Sequence, residues 1–572
     1  MTDPKPEAAE RLLDRLAMGA LSRRGFLSVA TAAGLAPLVD ALAVDQALAA
    51  QAQQAANRAV LKTTYDYIVV GAGAAGCLIA ARLAGAGATV LLVESGGGDD
   101  QPAIATPGIW FTNIGGANDW RFTAEPTASV AGRRVPVAMG HVLGGGTSIN
   151  AMLWVRGLAS DFDGWAAAGC EGWGFQDILP VYRSLEDWQG GANAWRGAGG
   201  PMAVTTARTP HPTAPAFIAA AHQLGAPILD DVNGPMREGA GYVNMTITPD
   251  GVRASAARAY LRPALSRPNL TLMLQADATR LLFTGARCRG VAIHQGGALT
   301  KVRAEREVIV AAGGVFSAKL LMLSGIGDAA ASRRLGLRPV ADLKGVGANF
   351  QDHPLLFGVV STYRGTMPPR AMASNAVEAA AYVRSGLGGA EPDIKMVLMQ
   401  LPVLSDALRA AYPAPPADSF TITPALVRPT SRGRLSLASA DWRAPPRLEG
   451  GYLDTEHDLE RTVRCIEMCR ELGRQSAFDD IRAEEIIPGK PMTKAELNAF
   501  ARSATLSFGH PVGTCRMGRG PDAVVDPELK VHGVEGLRVC DSSVMPTIIT
   551  GPTQAPTQMI AARAAQLILN RV

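Results

Sequence analysis

Short apolar runs mark the first elements of the chain. Residues 67–70 and residues 89–93, which are apolar from Val90 onward, predict two buried strands. Residues 77–83, rich in small side chains, predict a helix between them. Farther along, residues 421–427 predict a strand and residues 454–472 predict a helix. This pattern by itself predicts a mixed α/β protein.

Three glycines stand between the first strand and the helix. Gly71, Gly73 and Gly76 have the G-x-G-x-x-G spacing. The first glycine permits a tight turn, the second lets the backbone approach a pyrophosphate, and the third lets helix and strand pack closely. Glu94, directly after the second strand, stands where a carboxylate can bind ribose hydroxyls. The segment predicts a dinucleotide site and leaves nicotinamide and flavin cofactors both open.

A second glycine loop spans residues 140–150. Backbone amides in such a loop can bind the rest of a large, extended cofactor, although the same composition also suits a flexible connector. The loop therefore extends the predicted site without choosing the cofactor.

Composition and charge narrow the class of protein. The chain has 572 residues, which is long enough for two domains and a targeting segment. Its composition, 47% apolar and 19% charged, is ordinary for a globular protein. The net charge of +4 is spread without a Lys/Arg block, so no nucleic-acid partner is expected. The seven cysteines match no common zinc spacing. Cys465 and Cys469 come nearest, and core packing is the favoured interpretation, so no metal is expected.

Residues 1–50 have the features of an export signal. Arg23 and Arg24 precede an apolar run over residues 25–39, and residues 47–49 offer a small-x-small cleavage pattern. The run is shorter than the roughly 17 to 25 residues that a membrane-spanning helix needs. The segment resembles a twin-arginine (Tat) signal, with an amphipathic N-terminal helix as the alternative. It implies the Tat export machinery as a partner and a periplasmic or exported location.

Residues 510–518 read HPVGTCRMG and supply a candidate base. An unperturbed histidine is largely neutral at physiological pH, so His510 can accept a proton and return it later. A histidine followed by proline is, taken alone, more often a loop residue than a catalytic one. The surrounding motif is what favours the catalytic interpretation.

With these motifs the chain resembles the glucose-methanol-choline (GMC) oxidoreductase family, which binds FAD. The similarity covers nearly all of the chain after residue 64. It rests on several ordered segments: residues 140–150, 313–317, 324–327, 345–353, 431–436, 510–518 and 537–543. The resemblance implies an α/β protein in which a Rossmann-like FAD-binding domain is interleaved with an α+β substrate domain built on an antiparallel sheet.

The resemblance also implies which residues hold FAD. The ADP half is expected against Gly71, Gly73, Ala74, Ala75, Gly76 and Glu94, with Ala278 beside the adenine. The flavin half is expected along Val142, Gly145, Asn150, Ala151 and Met152, with Asp541 and Thr557 approaching from the C-terminal segment. Some members attach FAD through a histidine at the position of Ile149. An aliphatic side chain cannot form that bond, so FAD is expected to be non-covalent.

The implied chemistry is oxidation of an alcohol, in which the hydroxyl proton passes to a base and a hydride passes to flavin N5. His510 is the implied base. The second polar residue of the family, His or Asn, corresponds to Gln554, which is neutral and cannot act as a base. In the alternative, Gln554 points away and a neighbouring group or water replaces it. The remaining histidines are expected to be surface or structural residues: His141, His211, His222, His294, His353, His457 and His532.

The same resemblance sets the expected domain boundaries. The FAD-binding domain is expected to comprise residues 63–160, 250–340 and 500–572, and the substrate domain residues 161–249 and 341–499. Within the latter, Met396, Met399 and Leu401 are candidates for an apolar pocket wall, although core packing is favoured.

Substrate and acceptor stay open at this stage. The substrate is expected to be a small-molecule alcohol, and the electron acceptor oxygen, a quinone or a cytochrome. An FAD-containing lyase of the hydroxynitrile lyase type is the alternative, because it would keep the histidine without hydride transfer. His510 disfavours both a light-driven decarboxylase and a non-catalytic flavin-binding protein.

Overall fold

A computed structural model of the protein describes residues 61–235 and 238–570. The predicted export signal, residues 1–50, lies outside these residues.

The strands of the described residues are, in chain order, β1 (Thr64–Val70), β2 (Val90–Val93), β3 (Phe122–Ala124), β4 (Val135–Val137), β5 (Glu186–Trp188), β6 (Met202–Val204), β7 (Gly239–Tyr242), β8 (Leu270–Met273), β9 (Asp277–Thr284), β10 (Arg287–Gln295), β11 (Ala298–Val310), β12 (Ile326–Gly327), β13 (Ala341–Asp342), β14 (Pro354–Leu356), β15 (Val360–Tyr363), β16 (Ala379–Val383), β17 (Ile394–Met399), β18 (Ser419–Leu426), β19 (Arg434–Ser436), β20 (Arg447–Glu449), β21 (Arg482–Ile487), β22 (Thr505–Ser507) and β23 (Leu537–Val539).

The α-helices are α1 (Gly76–Gly85), α2 (Pro102–Ala105), α3 (Gly146–Ile149), α4 (Ala159–Ala167), α5 (Phe175–Leu185), α6 (Thr213–Gln223), α7 (Gly313–Leu323), α8 (Ala329–Arg334), α9 (Asp406–Ala411), α10 (Glu456–Gly473), α11 (Lys494–Ala504) and α12 (Gln554–Ile568). Across residues 61–235 and 238–570, none of the helices combines the length and apolarity that crossing a membrane requires.

A largely parallel sheet carries the N-terminal motifs. Its order is β8-β2-β1-β11-β10-β9, with β23 beside β11. Strands β8, β2, β1, β11 and β23 run parallel to their neighbours, whereas β10 is antiparallel to β9 and β11. The carboxyl ends of the parallel strands meet at one edge, which is where sheets of this kind bind ligands. Gly71, directly after β1, lies at this edge.

A second, antiparallel sheet faces the first one across the site, and we call it the roof sheet. Its order is β21-β15-β18-β17-β16-β7, and β14 connects β18 to β22. The outer face packs against α6, α10 and α11 through an apolar core that includes Phe217, Ile466 and Phe500. The inner face carries Val397 and Met399. The roof sheet therefore lies between an apolar core on its outer face and the cavity on its inner face.

The alternation of strand side chains corrects one sequence interpretation. Met399 and Leu401 line the cavity beneath the roof sheet. Met396 belongs to the outer core instead, because an odd residue spacing in a strand places side chains on opposite faces.

Both sheets collect strands that are distant in the chain. The first takes strands from residues 64–93, 270–310 and 537–539, and the roof sheet takes strands from residues 239–242, 354–426 and 482–507. The mixed α/β prediction is confirmed. The residue boundaries of the two domains stay a prediction.

Candidate active site

Gly71 and Gly76 form a turn that admits no side chain. Gly71 has a φ of +96°, and a Cβ there would lie 2.6 Å from the carbonyl oxygen of Ala311, directly after β11. A Cβ on Gly76 would lie 1.8 Å from the Gly71 carbonyl oxygen. Close packing of β1, the turn and α1 therefore requires glycine at both positions.

The two glycine loops touch each other. A Cβ on Gly145, which has a φ of +55°, would lie 2.7 Å from the Cα of Gly73. A Cβ on Gly140 would lie 2.2 Å from the Gly145 carbonyl carbon. The bare backbone of both loops thus faces one space, and its amides suit a pyrophosphate. This cradle fits FAD.

Glu94 is anchored at the end of β2. Its Oε2 accepts a hydrogen bond from the Ala72 N–H at 2.8 Å, and its Oε1 accepts one from the Gly96 N–H at 2.7 Å. The two hydrogen bonds favour the carboxylate and lower the pKa of Glu94. Burial has the larger, opposite effect and raises the pKa to about 7. Each oxygen keeps a second lone pair, so the carboxylate can still accept ribose hydroxyls.

A cavity of about 1170 Å³ runs from the cradle to the roof sheet. It is large enough for an extended cofactor together with a small substrate. Twelve of the residues predicted from the sequence line it: Gly71, Gly73, Ala74, Ala75, Glu94, Gly145, Asn150, Ala151, Ala278, Asp541, Gln554 and Thr557.

Four predicted residues lie behind the lining. Gly76 supports the turn, and Val142 and Met152 are buried side chains in apolar clusters. His510 is half-buried, and its neighbours Phe508, Gly509 and Pro511 line the cavity.

Asp541 and Thr557 reach the cavity from the C-terminal segment. Asp541 Oδ2 accepts hydrogen bonds from the Gly313 N–H at 2.8 Å and the Ser317 hydroxyl at 2.5 Å. Thr557 donates its hydroxyl proton to the Thr553 carbonyl at 2.7 Å. Asp541 therefore ties the C-terminal segment to the start of α7.

Gln554 is held in the cavity wall by a polar network. Its Oε1 accepts a hydrogen bond from Asn150 Nδ2 at 2.6 Å, and its Nε2 donates to Thr246 Oγ1 at 3.4 Å. Arg253 donates to Asn150 Oδ1 at 2.9 Å and to the Asn150 carbonyl at 2.7 Å. An amide nitrogen has two hydrogens, so Gln554 has one N–H left to donate to a substrate oxygen.

His510 contacts a second histidine. Its Nδ1 lies 2.9 Å from Nδ1 of His353, and the two rings are perpendicular. Nε2 of His353 lies 3.2 Å from the Val427 carbonyl oxygen, which can only accept, so His353 carries its proton on Nε2. Nδ1 of His353 must then accept from the Nδ1–H of His510. Nε2 of His510 is left unprotonated and able to act as a base.

Burial keeps both histidines neutral. It lowers the pKa of His353 to about 3, with a further contribution from Lys395. Burial, His353 and Lys395 together hold the pKa of His510 well below its usual value of 6.5. The neutral tautomers that the hydrogen bonds specify are therefore the stable forms at physiological pH.

Asp352 fixes the backbone of His510. Its Oδ1 accepts the His510 N–H at 3.0 Å, and its Oδ2 accepts the Tyr452 hydroxyl at 2.7 Å and the Ser507 hydroxyl. Burial raises the pKa of Asp352 to about 6. The base is thus positioned from the main chain by Asp352 and from the ring by His353.

The part of the cavity next to His510 has an apolar roof. Leu355, Phe357, Val397, Met399 and Leu401 line it, together with the hydroxyl-bearing Thr423. The carboxylates of the lining belong to other segments of the chain: Glu94, Glu125, Asp277 and Asp541.

Sequence reasoning missed three residues of the site. It assigned His353 a surface or structural role, and it did not foresee that His353 is buried and bonds directly to His510. Arg253 and Lys395 were not considered. His353 ends a segment quoted for the family resemblance, residues 345–353, and that position was the available signal. The buried Lys395 interrupts an apolar strand, and a charge in such a run was the second signal.

The described residues contain no cluster of three or more His, Cys, Asp or Glu side chains that could hold a metal ion. Cys465 and Cys469 are both buried on α10.

Comparisons with known proteins agree with this geometry. The GMC oxidoreductase family profile matches residues 65–355 with its amino-terminal part and residues 429–561 with its carboxyl-terminal part. The chain is 39% identical over 531 residues to oxygen-dependent choline dehydrogenase of Brucella ovis, covering 88% of this chain and 96% of that protein. The homologue from Sinorhizobium medicae is also 39% identical, over 532 residues.

Solved structures show the same similarity. Pyridoxine 4-oxidase from Mesorbium loti superposes with a TM-score of 0.83 at 32% identity, covering 88% of this chain and 99% of that one. Formate oxidase of Aspergillus oryzae superposes with a TM-score of 0.81 at 26% identity, covering 89% and 98%. The chain belongs to the GMC oxidoreductase family and is an FAD-dependent enzyme that oxidises CH–OH groups.

Proposed function

We propose that the protein oxidises a neutral alcohol with an apolar body to its carbonyl compound, with His510 as the base and Gln554 as a hydrogen-bond donor to the substrate oxygen. The observation that carries the assignment is the bond between His510 and His353, which leaves the lone pair of His510 Nε2 free. Bound FAD supplies the hydride acceptor.

His510 removes the hydroxyl proton in this scheme. The alcohol oxygen becomes more electron-rich as the proton leaves, and this favours departure of the carbinol hydrogen as hydride. The remaining N–H of Gln554 stabilises the negative charge that develops on that oxygen. Because Gln554 is uncharged at all relevant pH values, His510 carries the proton alone.

The His510→Ala variant tests the base. Anaerobic mixing with an alcohol substrate should reduce its flavin roughly 10²- to 10⁴-fold more slowly than in the wild type. The FAD content per chain should be unchanged, because the substitution leaves both glycine loops of the cradle intact. Near-normal flavin reduction in stopped flow would remove the assignment.

We also propose that FAD is held non-covalently. Ile149 lines the cavity at the start of the flavin half and has no nitrogen or sulfur to form a bond with the ring. Trichloroacetic acid should release the flavin into the supernatant, and yellow colour in the washed pellet would contradict the proposal.

The substrate class follows from the charges around His510. Choline, the compound named in the relatives from Brucella ovis and Sinorhizobium medicae, is a quaternary ammonium. Here the roof sheet contributes no Asp or Glu to the cavity lining in the described residues, and its inner face carries the buried Lys395. A cation in this apolar space would lose its hydration without a counter-charge. A neutral apolar alcohol has no such cost.

A pair of isosteric alcohols tests the class. Choline and 3,3-dimethylbutan-1-ol have the same shape, and they differ in the charged nitrogen that replaces a carbon. The neutral alcohol should have a kcat/KM at least about tenfold higher, since tenfold corresponds to roughly 1.4 kcal/mol of desolvation that is not recovered. A preference for choline would overturn the neutral class and leave the role of His510 intact. Parallel assays with a dye acceptor and for peroxide would distinguish oxygen from a quinone or cytochrome.

For localisation, we propose export through the Tat pathway. The support is the Arg23-Arg24 pair, the short apolar run and the small-x-small pattern in residues 22–49. Replacing both arginines with lysine should hold the precursor in the cytoplasm, whereas the parent sequence should yield a processed periplasmic protein. Equal distribution of the two forms would contradict the proposal.

A further inference from the structure

A lysine is buried behind the histidine pair. Lys395 lies on β17, its side chain is 0% exposed, and its Nζ has no hydrogen-bond partner in the described residues. An ammonium group without a partner in an apolar interior is strongly disfavoured. Lysine is therefore an unusual choice at this position, and its neutral form is accessible there.

Two aromatic rings enclose the amine. Nζ lies 5.5 Å from the ring centroid of Tyr382, its direct cross-strand partner, and 5.1 Å from the ring centroid of Phe508. The Phe508 ring stacks on the His510 imidazole, with centroids 4.5 Å apart and an interplanar angle of 25°. One aromatic ring therefore separates the Lys395 amine from the base.

Among the described residues, no anionic side chain interacts with Lys395 on the inner face of the roof sheet. The Tyr382 hydroxyl and Thr423 Oγ1 are also buried without hydrogen-bond partners in the described residues. Burial raises the pKa of Tyr382, so the phenol stays neutral. The charge of Lys395, when present, is thus not compensated by a neighbouring carboxylate or phenolate.

We propose that Lys395 is a positioning residue whose own protonation state controls how readily His510 accepts a proton. The proposal rests on the role of His510 as the base. A charged ammonium one ring away repels the imidazolium that His510 becomes during the reaction, whereas a neutral amine does not. Protonation of Lys395 therefore slows proton transfer from the alcohol, and deprotonation speeds it.

The titratable groups near Lys395 differ in their pKa values. Burial lowers the pKa of Lys395 to about 7. His353 and His510 titrate well below that value, and burial raises the pKa of Asp352, beyond His510, to about 6. On the other face of the sheet, the Cys465 thiol contacts the Lys395 carbonyl through its Sγ. Of Lys395, His353, His510 and Asp352, Lys395 is therefore the group expected to change charge at the highest pH, with Asp352 about one pH unit below it.

The pH profile of anaerobic flavin reduction tests the proposal. In the wild type, the rate constant of flavin reduction should rise by roughly tenfold to a hundredfold as Lys395 loses its proton around pH 7. Lys395→Met has similar length without charge, and it should lose this step and keep the high rate to lower pH. Lys395→Arg stays charged throughout and should show the low rate without a step.

Control variants separate the possible outcomes. Tyr382→Phe removes a neutral hydroxyl from the same patch and should keep the step. A wild-type profile that is flat through neutral pH, or an unchanged step in Lys395→Met, overturns the proposal. If Lys395→Met fails to bind FAD, persistence of the step in Lys395→Arg overturns it instead. Normal flavin reduction by His510→Ala would refute the base itself, whatever the Lys395 variants show.

Discussion

Nδ1 of His510 lies 2.9 Å from Nδ1 of His353, although the two residues are 157 positions apart in the chain. The Val427 carbonyl at the far side of His353 fixes the proton on Nε2 of that ring. A main-chain carbonyl directly after β18 thereby decides which nitrogen of the base is free.

Replacing His353 should therefore change which nitrogen of His510 carries the proton, without removing a group that contacts the substrate. His353→Leu removes the acceptor for the His510 Nδ1–H, so the tautomer with Nε2 protonated becomes accessible, and the rate of flavin reduction should fall at least about tenfold. His353→Asn, which keeps an acceptor close to the position of Nδ1, should lose less. Stopped-flow rates at equal FAD content make the comparison. An equal loss in the two variants would favour a packing role for His353 over control of the tautomer.

Gln554 should act through its amide and not through its size. Gln554→Leu removes both the bond to Asn150 and the N–H offered to substrate, and flavin reduction should slow by roughly 10²- to 10³-fold. Gln554→Asn keeps an amide and should be milder. The reverse order of the two rates would show that the amide of Gln554 does not contact the substrate oxygen.

Contact between the glycine loops should be needed for FAD binding. Gly145→Ala places a Cβ 2.7 Å from the Cα of Gly73 at a φ of +55°, and the FAD content of the purified protein should fall severely. Gly87→Ala is the matched control, because Gly87 has a φ of +92° and no atom within 4 Å of an added Cβ. Its strain costs about 1 kcal/mol of stability. Similar flavin loss in both variants would point to backbone strain as the cause.

Stability should fall in acid because of the buried His353. Its pKa is about 3 in the folded protein against about 6.5 for an unfolded histidine, so the unfolded state binds a proton first as the pH decreases. Above pH 6.5, His353 leaves the free energy of unfolding unchanged. Between roughly pH 6 and pH 3 it lowers the free energy of unfolding by about 1.4 kcal/mol for each pH unit of acidification. Tm measured from neutral pH to pH 5 should therefore decline less steeply in His353→Asn than in the wild type. Parallel curves for the two proteins would contradict this linkage.

The sequence by itself determined the features that depend on local backbone geometry. Gly71, Gly73 and Gly76 could be recognised because each role excludes a side chain: the tight turn, the approach of the backbone to a pyrophosphate, and the packing of helix on strand. All three roles depend on residues within one short segment. The identity of His510 as a candidate base also came from its own segment, together with the family resemblance. The alternation that sends Met399 and Leu401 to the cavity is local as well, and attention to the strand period would have separated Met396 from them.

Only the tertiary structure decided what surrounds the base. His353, directly before β14, and Lys395, on β17, are far from residue 510 in sequence, and their proximity to His510 depends on the register and packing of the roof sheet. No propensity of a single segment encodes such contacts. The same holds for the tautomer of His510, since it is set by a carbonyl that the chain brings to His353 through the fold.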